Sequence, residues 1–436
     1  MKNIPVGSFP CKCGKTHTNP TRIMIYDEDG LEQLPKILTD ITTRRVVYLF
    51  ADHRTYNVAG RRAETSLQKA GWSVKTIIIP DTDQGFPSCD DLTFEKIKPM
   101  VKNPDILLAV GSGVINDLTK WIAFDLNKPY AVLATAASMN GYTAANVAPS
   151  LKGVKSIVYA QAPVAVLSVP SIIENAPFEL TAAGLGDVLA KPISTADWLM
   201  NHILFNEYFC PQIAEMITAI EPSYLNHPED VRDRKPQAIA ALYQALIYSG
   251  LAMTLVGTSA PASGGEHMLS HTLDMMSSLD GVPHDLHGRQ VGLGTIFAAA
   301  LYDRIFQIES PKIFPMPVDI DRQFWGKLTS SVSEQYAAKQ PHLKIMQEKL
   351  STPAAWNDFL TAVKTKIRSP KEIKNCLQRA YVARCFADIH CSRDRLRLAV
   401  LHMHEIRKRC TVVDLAWTLG ILPNAADDLI DQWLTP

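Results

Sequence analysis

The chain of 436 residues has no net charge, with 44 Lys and Arg against 44 Asp and Glu. A nucleic-acid binder shows a strongly basic footprint, so the balance argues against that class and against a polyanionic or disordered chain. Cysteine is sparse: eight are scattered at positions 11, 13, 89, 210, 376, 385, 391 and 410. That density argues against a disulfide scaffold, and a reduced, cytoplasmic setting is expected. Residues 1–5 show no apolar h-region, so no signal peptide is expected. There is no Walker P-loop, no G-x-S-x-G elbow, no internal repeat and no low-complexity linker. Walker-type phosphate activation and α/β-hydrolase chemistry therefore have no support. Long apolar runs are scarce too. One stretch, 236–265, lacks charge, but Tyr243, Gln244, Tyr248, Ser249 and Thr254 interrupt its centre. It reads as a buried helix of a soluble domain, not a membrane span.

What is present is ordinary for a large core: 47% apolar and 20% charged residues. The length predicts two or three domains. Short β-branched runs at 23–26, 46–50, 74–79, 106–110, 131–134 and 164–169 alternate with helical stretches, one at 59–70. Near-continuous apolar strands of this kind predict a parallel sheet covered on both faces. Beyond about residue 170 only helix-period segments stand out, at 180–200, 237–256, 266–276, 289–307, 354–366 and 394–407. The expectation is an α/β domain over 1–170 and an all-α domain over 171–436, joined at about 168–176. Residues 310–345, with scattered prolines, give no clear pattern.

The strand at 106–110 runs into Gly111-Ser112-Gly113-Val114-Ile115-Asn116-Asp117, ahead of a helical stretch at 118–126. Glycines at such a turn let backbone N–H groups and a helix N-terminus approach a phosphate. The third glycine of the dinucleotide fingerprint is missing, and the turn does not follow the first strand. Any tight strand-to-helix turn can use two glycines. Asp81 ends another strand and could accept from a ribose hydroxyl, or lie in a solvated turn. The turn 135–142, with Thr135, Ser138 and Asn140, sits where open α/β sheets bind ligands, though such residues also cap helices.

Histidine is concentrated. His267, His271, His284 and His287 fall within 21 residues, where even spreading of the chain's 12 would put fewer than one. Ser263-x-x-Glu266 reads as a capping box, which starts a helix near 264 and sets His267 and His271 at i and i+4 on one face. The order E-H-x-x-x-H differs from the H-E-x-x-H of zinc proteases. Two or three imidazoles with a carboxylate form an N/O metal site suited to zinc, iron, cobalt or nickel; the alternative is capped histidines without a metal. Asp187, in the glycine-flanked segment 184–191, is a candidate carboxylate. Its alternative is an i,i+4 pair with Lys191. Cys11-x-Cys13-x-x-x-His17 offers three soft ligands without an obvious fourth and reads as surface cysteines.

The segments G-S-G-V-I-N-D-L-T-K (111–120), T-A-A-S-M-N-G-Y (135–142), G-L-G-D-V-L-A-K (184–191), S-G-G-E-H-M-L-S-H (263–271) and L-H-G-R-Q-V-G-L-G-T (286–295) together resemble the sn-glycerol-1-phosphate dehydrogenase family, particularly its bacterial members. The stretch 402–416 and the opening C-K-C-G-K-T-H add to the likeness. That family lies within the group of glycerol dehydrogenases, iron-containing alcohol dehydrogenases and dehydroquinate synthases. The resemblance implies the dehydroquinate-synthase-like fold, with a Rossmann-like sheet followed by a helical domain. It implies NAD or NADP and one divalent ion (zinc, nickel or iron) held by Asp187, His267 and His287, with His271 on the substrate. Gly111, Gly113, Val114, Ile115, Asn116 and Asp117 would hold the pyrophosphate, Thr135 and Ser138 would contact the cofactor, and Asp81 remains the ribose candidate.

Two departures stand out: Asn140 where family members usually carry Asp, and Ala144 where they often carry Ser, with Thr143 next door. An amide at 140 suits a substrate oxygen that carries no proton, which raises a relative of glycerol 1-phosphate as the substrate; the alternative is a tolerated swap. The expected activity is metal-dependent interconversion of dihydroxyacetone phosphate, or a related phosphorylated ketone, with its alcohol. A dehydroquinate-synthase-like lyase or cyclase is the alternative, disfavoured because that class uses Glu as the carboxylate ligand. A homo-oligomer, a dimer by preference, is expected, without nucleic-acid or membrane partners.

Overall fold

The computed structural model describes residues 6–83 and 85–436. The chain forms two compact units. One takes the chain up to Gly184 together with Asp230–Thr258; the other takes Leu185–Glu229 and Ser259–Pro436.

The first unit opens with a hairpin of β1 (Gly7–Pro10) and β2 (Thr16–Asn19). Six strands form the main sheet: β3 (Ile23–Tyr26), β4 (Val46–Ala51), β5 (Ser73–Ile78), β6 (Ile106–Gly111), β7 (Tyr130–Ala134) and β8 (Ala165–Ser168). They pair in parallel in the order β3-β8-β7-β6-β4-β5. The expected strands are these six, to within a residue or so at each end. β6 and β7 are buried along their whole length, which is why they read as unbroken apolar runs. One face of the sheet packs on α1 (Gly30–Ile41) and α2 (Arg61–Lys69) through Leu34, Leu38, Ala63 and Leu67. The helix α3 (Gly113–Asp125) leaves directly from β6.

After β8 comes α4 (Phe178–Leu189), then α5 (Lys191–Phe205). The periodicity predicts one helix over 180–200. Pro192 explains the break: it has no N–H for the carbonyl of Val188, which instead lies 3.5 Å from the Tyr224 hydroxyl.

The uncharged helix α6 (Pro236–Val256) packs within the first unit, whereas the sequence assigns it to a 171–436 domain. Its Tyr243 stacks on Tyr26 and hydrogen-bonds the Ser168 hydroxyl at 2.5 Å. By length and composition alone α6 could cross a membrane; 67% of its apolar stretch is buried inside the protein.

The second unit carries helices and no strand among the described residues. At its centre lie α7 (Gly265–Asp280) and α8 (His287–Ile305), which approach closely. A side chain at Gly294 would sit 2.0 Å from the Glu266 carbonyl, so only glycine permits that approach. The capping box expected at Ser263 is not formed. Gly264 is the N-cap, and the buried N–H of Gly265, which has no intrahelical acceptor, is taken at 2.7 Å by Asp197 from α5. A buried partner from another helix replaces the local cap. The stretch 310–345 contains Arg322–Trp325 and most of the 22-residue helix Thr329–Leu350, obscured in the sequence because Pro341 lies inside it.

Candidate active site

In the second unit the end of α4, the start of α7 and the start of α8 bring Asp187, His267, His271 and His287 together. The ring centroids of His267 and His287 are 5.2 Å apart, those of His271 and His287 5.6 Å, and those of His267 and His271 5.8 Å. His267 and His271 are one helical turn apart on α7, as their spacing predicts. His284 stands aside, 3.2 Å from Asp274 and more exposed.

The hydrogen bonds fix which ring nitrogen is available. His267 Nδ1 lies 2.8 Å from Glu266 Oε1. His287 Nδ1 lies 3.0 Å from Ser270 Oγ, and that hydroxyl donates onward to Gln290 Oε1 at 2.8 Å. Having given its proton to Gln290, Ser270 accepts from His287. Both rings thus spend Nδ1–H on fixed acceptors, which makes each Nε2 an acceptor atom. Metal-ligating histidines are oriented by such outer bonds. His267 Nε2 faces Asp187 Oδ1 across 3.8 Å, two acceptors with no proton between them.

His271 is held differently. Arg407 Nη2 lies 3.0 Å from its Nδ1 and 3.4 Å from its Nε2. A guanidinium only donates, so the nearer nitrogen accepts and the ring carries its proton on Nε2. His271 is therefore set up to donate.

Electrostatics favour neutral imidazole beside an ionised carboxylate. Burial lowers the pKa of His267 to about 3, with the Lys191 ammonium adding to the effect. Burial alone would raise Asp187, but Lys191, His267 and His287 outweigh it and hold its carboxyl below the ordinary value. Burial lifts Glu266 to about 7. Lys191 Nζ donates to Asp187 Oδ1 at 2.8 Å and to the Ala262 carbonyl at 3.0 Å. The i,i+4 pairing weighed as an alternative is thus present, and Asp187 has a second oxygen. One carboxylate and two imidazole lone pairs suit a borderline divalent cation, so the residues present fit the ion.

In the first unit Gly111 ends β6 and Gly113 opens α3. The first intrahelical bond runs from Asn116 N to Ser112 O, so the N–H groups of Gly113, Val114 and Ile115 stand at the helix mouth. A Cβ at Gly113 would meet only Met139, at 3.6 Å, whereas one at Gly111 would strike Ile115 at 2.7 Å. Gly111 is thus needed by the fold itself, and Gly113 is not.

Asn116 and Asp117 tie the site together. The Asp117 carboxylate accepts from Asn116 Nδ2, Lys120 Nζ and Ala148 N, and the buried Lys120 also donates to the carbonyls of Gly141 and Asn146. These bonds fasten the loop after β7, which carries the nearly buried Thr135 and Ser138. Asn140 Nδ2 donates to Ser249 Oγ of α6 at 3.1 Å, and Thr143 Oγ1 donates to the Ile247 carbonyl at 2.7 Å.

Asp81 lies beyond the edge strand β5 and is gripped by both Nη atoms of Arg54, at 2.5 and 3.0 Å. Asp52 went unnoticed. It follows β4, the strand next to β6, and the pairing of Phe50 with Ala109 sets it level with Gly111. Its Oδ1 accepts from Thr55 N at 2.8 Å. Arg407, Glu266, Ser270 and Gln290 were missed as well. A carboxylate directly before His267 and a hydroxyl one turn after it, at Ser270, were the available signals.

A family profile described as iron-containing alcohol dehydrogenase matches residues 25–177. The chain is 34% identical over 298 residues to glycerol-1-phosphate dehydrogenase [NAD(P)+] of Halalkalibacterium halodurans, covering 67% of this chain and 73% of that protein. With the enzyme of the same name from Bacillus licheniformis identity is 27% over 419 residues, covering 95% and 93%. Among solved structures, a probable glycerol dehydrogenase from Sinorhizobium meliloti superposes with a TM-score of 0.63 at 14% identity, covering 99% of each chain. At that identity the likeness speaks for the fold.

Proposed function

This chain belongs to the glycerol-1-phosphate dehydrogenase family, and from that premise we propose that it interconverts dihydroxyacetone phosphate and sn-glycerol 1-phosphate with NAD or NADP and one divalent ion. The observation that carries the reading is the pair of imidazoles whose Nδ1 atoms face Glu266 and Ser270, with His267 Nε2 3.8 Å from the Asp187 carboxylate and the His287 ring 5.2 Å from that of His267. Asp187, His267 and His287 would hold the ion. When bound, the ion acts as a Lewis acid on the substrate oxygen and the nicotinamide exchanges hydride with the carbon that bears it.

The remaining work falls to this chain's side chains. Glu266 and Ser270 keep both ligand rings in one tautomer. Lys191 keeps Asp187 ionised. His271, fixed by Arg407, presents Nε2–H to a substrate oxygen and can pass that proton as charge develops. The buried setting excludes water and strengthens each of these interactions. In the first unit the N–H groups of Gly113 to Ile115 would receive the pyrophosphate, with Thr135 and Ser138 beside it. Asp81 or Asp52 would take the ribose, and Arg54 could meet a 2′-phosphate.

A homodimer in a reducing cytoplasm completes the reading; the buried thiols Cys376, Cys385 and Cys410 support such a compartment. The test is turnover of dihydroxyacetone phosphate with NADH and NADPH, paired with metal analysis of the parent and of a His267→Ala, His287→Ala double variant. Net cofactor oxidation is expected, with loss of one metal equivalent and of activity in the variant. Unchanged metal content in the variant would overturn the ligand assignment. Product formation without net cofactor turnover would favour the lyase or cyclase alternative.

A further inference from the structure

We infer that the N-terminal hairpin is a second metal site, a structural zinc site held by the thiolates of Cys11 and Cys13 and by His17. The loop between β1 and β2 is shaped to bring the three together. Cys11 N bonds the Lys15 carbonyl at 2.9 Å, Gly14 N bonds the Cys11 carbonyl at 3.0 Å, and Gly14 takes φ +85° at the tightest point. That φ favours glycine, and the turn folds both cysteines back toward His17 on β2. The Cys11 and Cys13 sulfurs and a His17 ring nitrogen all lie within 4.8 Å of one another.

His17 supplies the decisive geometry. It is 2% exposed, unusual for a histidine on a four-residue strand near the start of a chain. Its Nδ1 lies 2.7 Å from the Leu255 carbonyl. A carbonyl only accepts, so the ring proton sits on Nδ1 and the Nε2 lone pair faces the cysteines. That is the outer-bond arrangement of a ligating histidine. Nε2 is 3.5 Å from Cys13 Sγ. A tetrahedral zinc with Zn–S of about 2.3 Å and Zn–N of about 2.0–2.1 Å sets sulfur and nitrogen roughly 3.6 Å apart. The hairpin is thus near ligand spacing already.

Three ligands come from the hairpin, and the fourth corner of the tetrahedron goes to a donor outside it, a thiolate or a water. The site would act on structure. Leu255 lies in the last turn of α6, where carbonyls lack helical partners. A metal that fixes His17 therefore fastens the end of α6, the helix whose Ser249 holds Asn140 and whose Ile247 holds Thr143. The two sites differ in chemistry: sulfur here, only nitrogen and oxygen at Asp187, His267 and His287. The inference stands whatever the reaction proves to be.

Cobalt substitution of the full chain separates the two sites, because only a thiolate-bound cobalt gives an intense sulfur-to-metal charge-transfer band in the near ultraviolet. The parent and the His267→Ala, His287→Ala variant should both show the band, and Cys11→Ser, Cys13→Ser should lose it along with one zinc equivalent. If that variant does not fold, mercurial titration of the His267→Ala, His287→Ala protein gives the same answer, since modification of the hairpin thiols should release one zinc per chain. A parent without the charge-transfer band, or a folded Cys11→Ser, Cys13→Ser variant that keeps its zinc, would overturn the proposal. The contact between Cys13 and His17 would then be an ordinary S–H···N bond.

Discussion

Lys191 donates to Asp187 across the break between α4 and α5, at 2.8 Å, with both side chains almost wholly buried. A buried carboxylate without its cation is strongly destabilising, by about 3–5 kcal/mol when one partner is removed. Lys191→Met should therefore lower the stability of the metal-stripped protein by that order. A bound divalent ion supplies the missing positive charge, so much of the deficit should vanish when metal is restored. Thermal melts with and without chelator would measure it. An equal deficit in both conditions would mean that Asp187 does not meet the ion.

Asp197 is a separate buried carboxylate with a structural task. It accepts from Gly265 N at 2.7 Å, from Val412 N at 3.0 Å and from the Tyr302 hydroxyl. It caps α7 from outside and joins it to the helix Val412–Thr418. Each donor left unpaired on removal costs roughly 1–3 kcal/mol. Asp197→Ala should lose at least about 3 kcal/mol in denaturant unfolding, well beyond the effect of deleting an exposed carboxylate.

The sheet was legible because parallel strands buried on both faces show as apolar runs bounded by turns, as at 106–110 and 131–134. The histidine positions were legible from the i,i+4 spacing at 267 and 271. What selects the tautomers was not: Gln290 acts on His287 through Ser270, which comes from the preceding helix, 17 residues before His287. The start of α7 escapes local pattern for a like reason, since Asp197 takes the Gly265 N–H from 68 residues away. Pro192 and Pro341 misled in opposite directions, one breaking a helix that reads as continuous and the other lying inside a helix that reads as irregular.

Gly113 offers a cofactor test that leaves the fold alone. A side chain there meets only Met139, at ordinary contact distance, yet it projects at the mouth of α3 where phosphate oxygens must approach the backbone. Gly113→Val should weaken NADH and NADPH binding by at least about tenfold, or about 1.4 kcal/mol, with the melting temperature little changed. Fluorescence titration would show it. Unchanged affinity in a folded variant would move the phosphate site elsewhere.

Arg407 anchors His271 from a half-buried position, with φ +68°. Burial, and then the neighbouring Arg409, lowers its guanidinium to about 10. Displacing a catalytic group by about 1 Å can cost about 10²-fold in rate. Arg407→Ala should lower kcat/KM by that order while metal content stays at the parent level. Loss of metal together with activity would make Arg407 part of the ion's own support.

Asn140 decides between two readings of the substrate. As a bare amide it would confront two substrate hydroxyls with one acceptor and an unwanted donor, which favours a different substrate. The fold changes that argument. One Nδ2–H donates to Ser249 Oγ within the first unit, which orients the amide and its acceptor oxygen. Asn140 then does much of what a carboxylate does, without the charge. In Asn140→Asp the Ser249 hydroxyl can turn and donate instead, so the exchange should fold normally. The expected result is a parent that reduces dihydroxyacetone phosphate and an Asn140→Asp change in kcat/KM within about tenfold, the equivalent of about 1.4 kcal/mol. Ser249→Ala should do more harm, because the amide loses the bond that fixes its orientation. Steady-state kinetics of the three proteins would check this. A gain well above tenfold from Asp, with Ser249→Ala indistinguishable from the parent, would show that the amide is not held as an acceptor and that a substrate other than dihydroxyacetone phosphate should be sought.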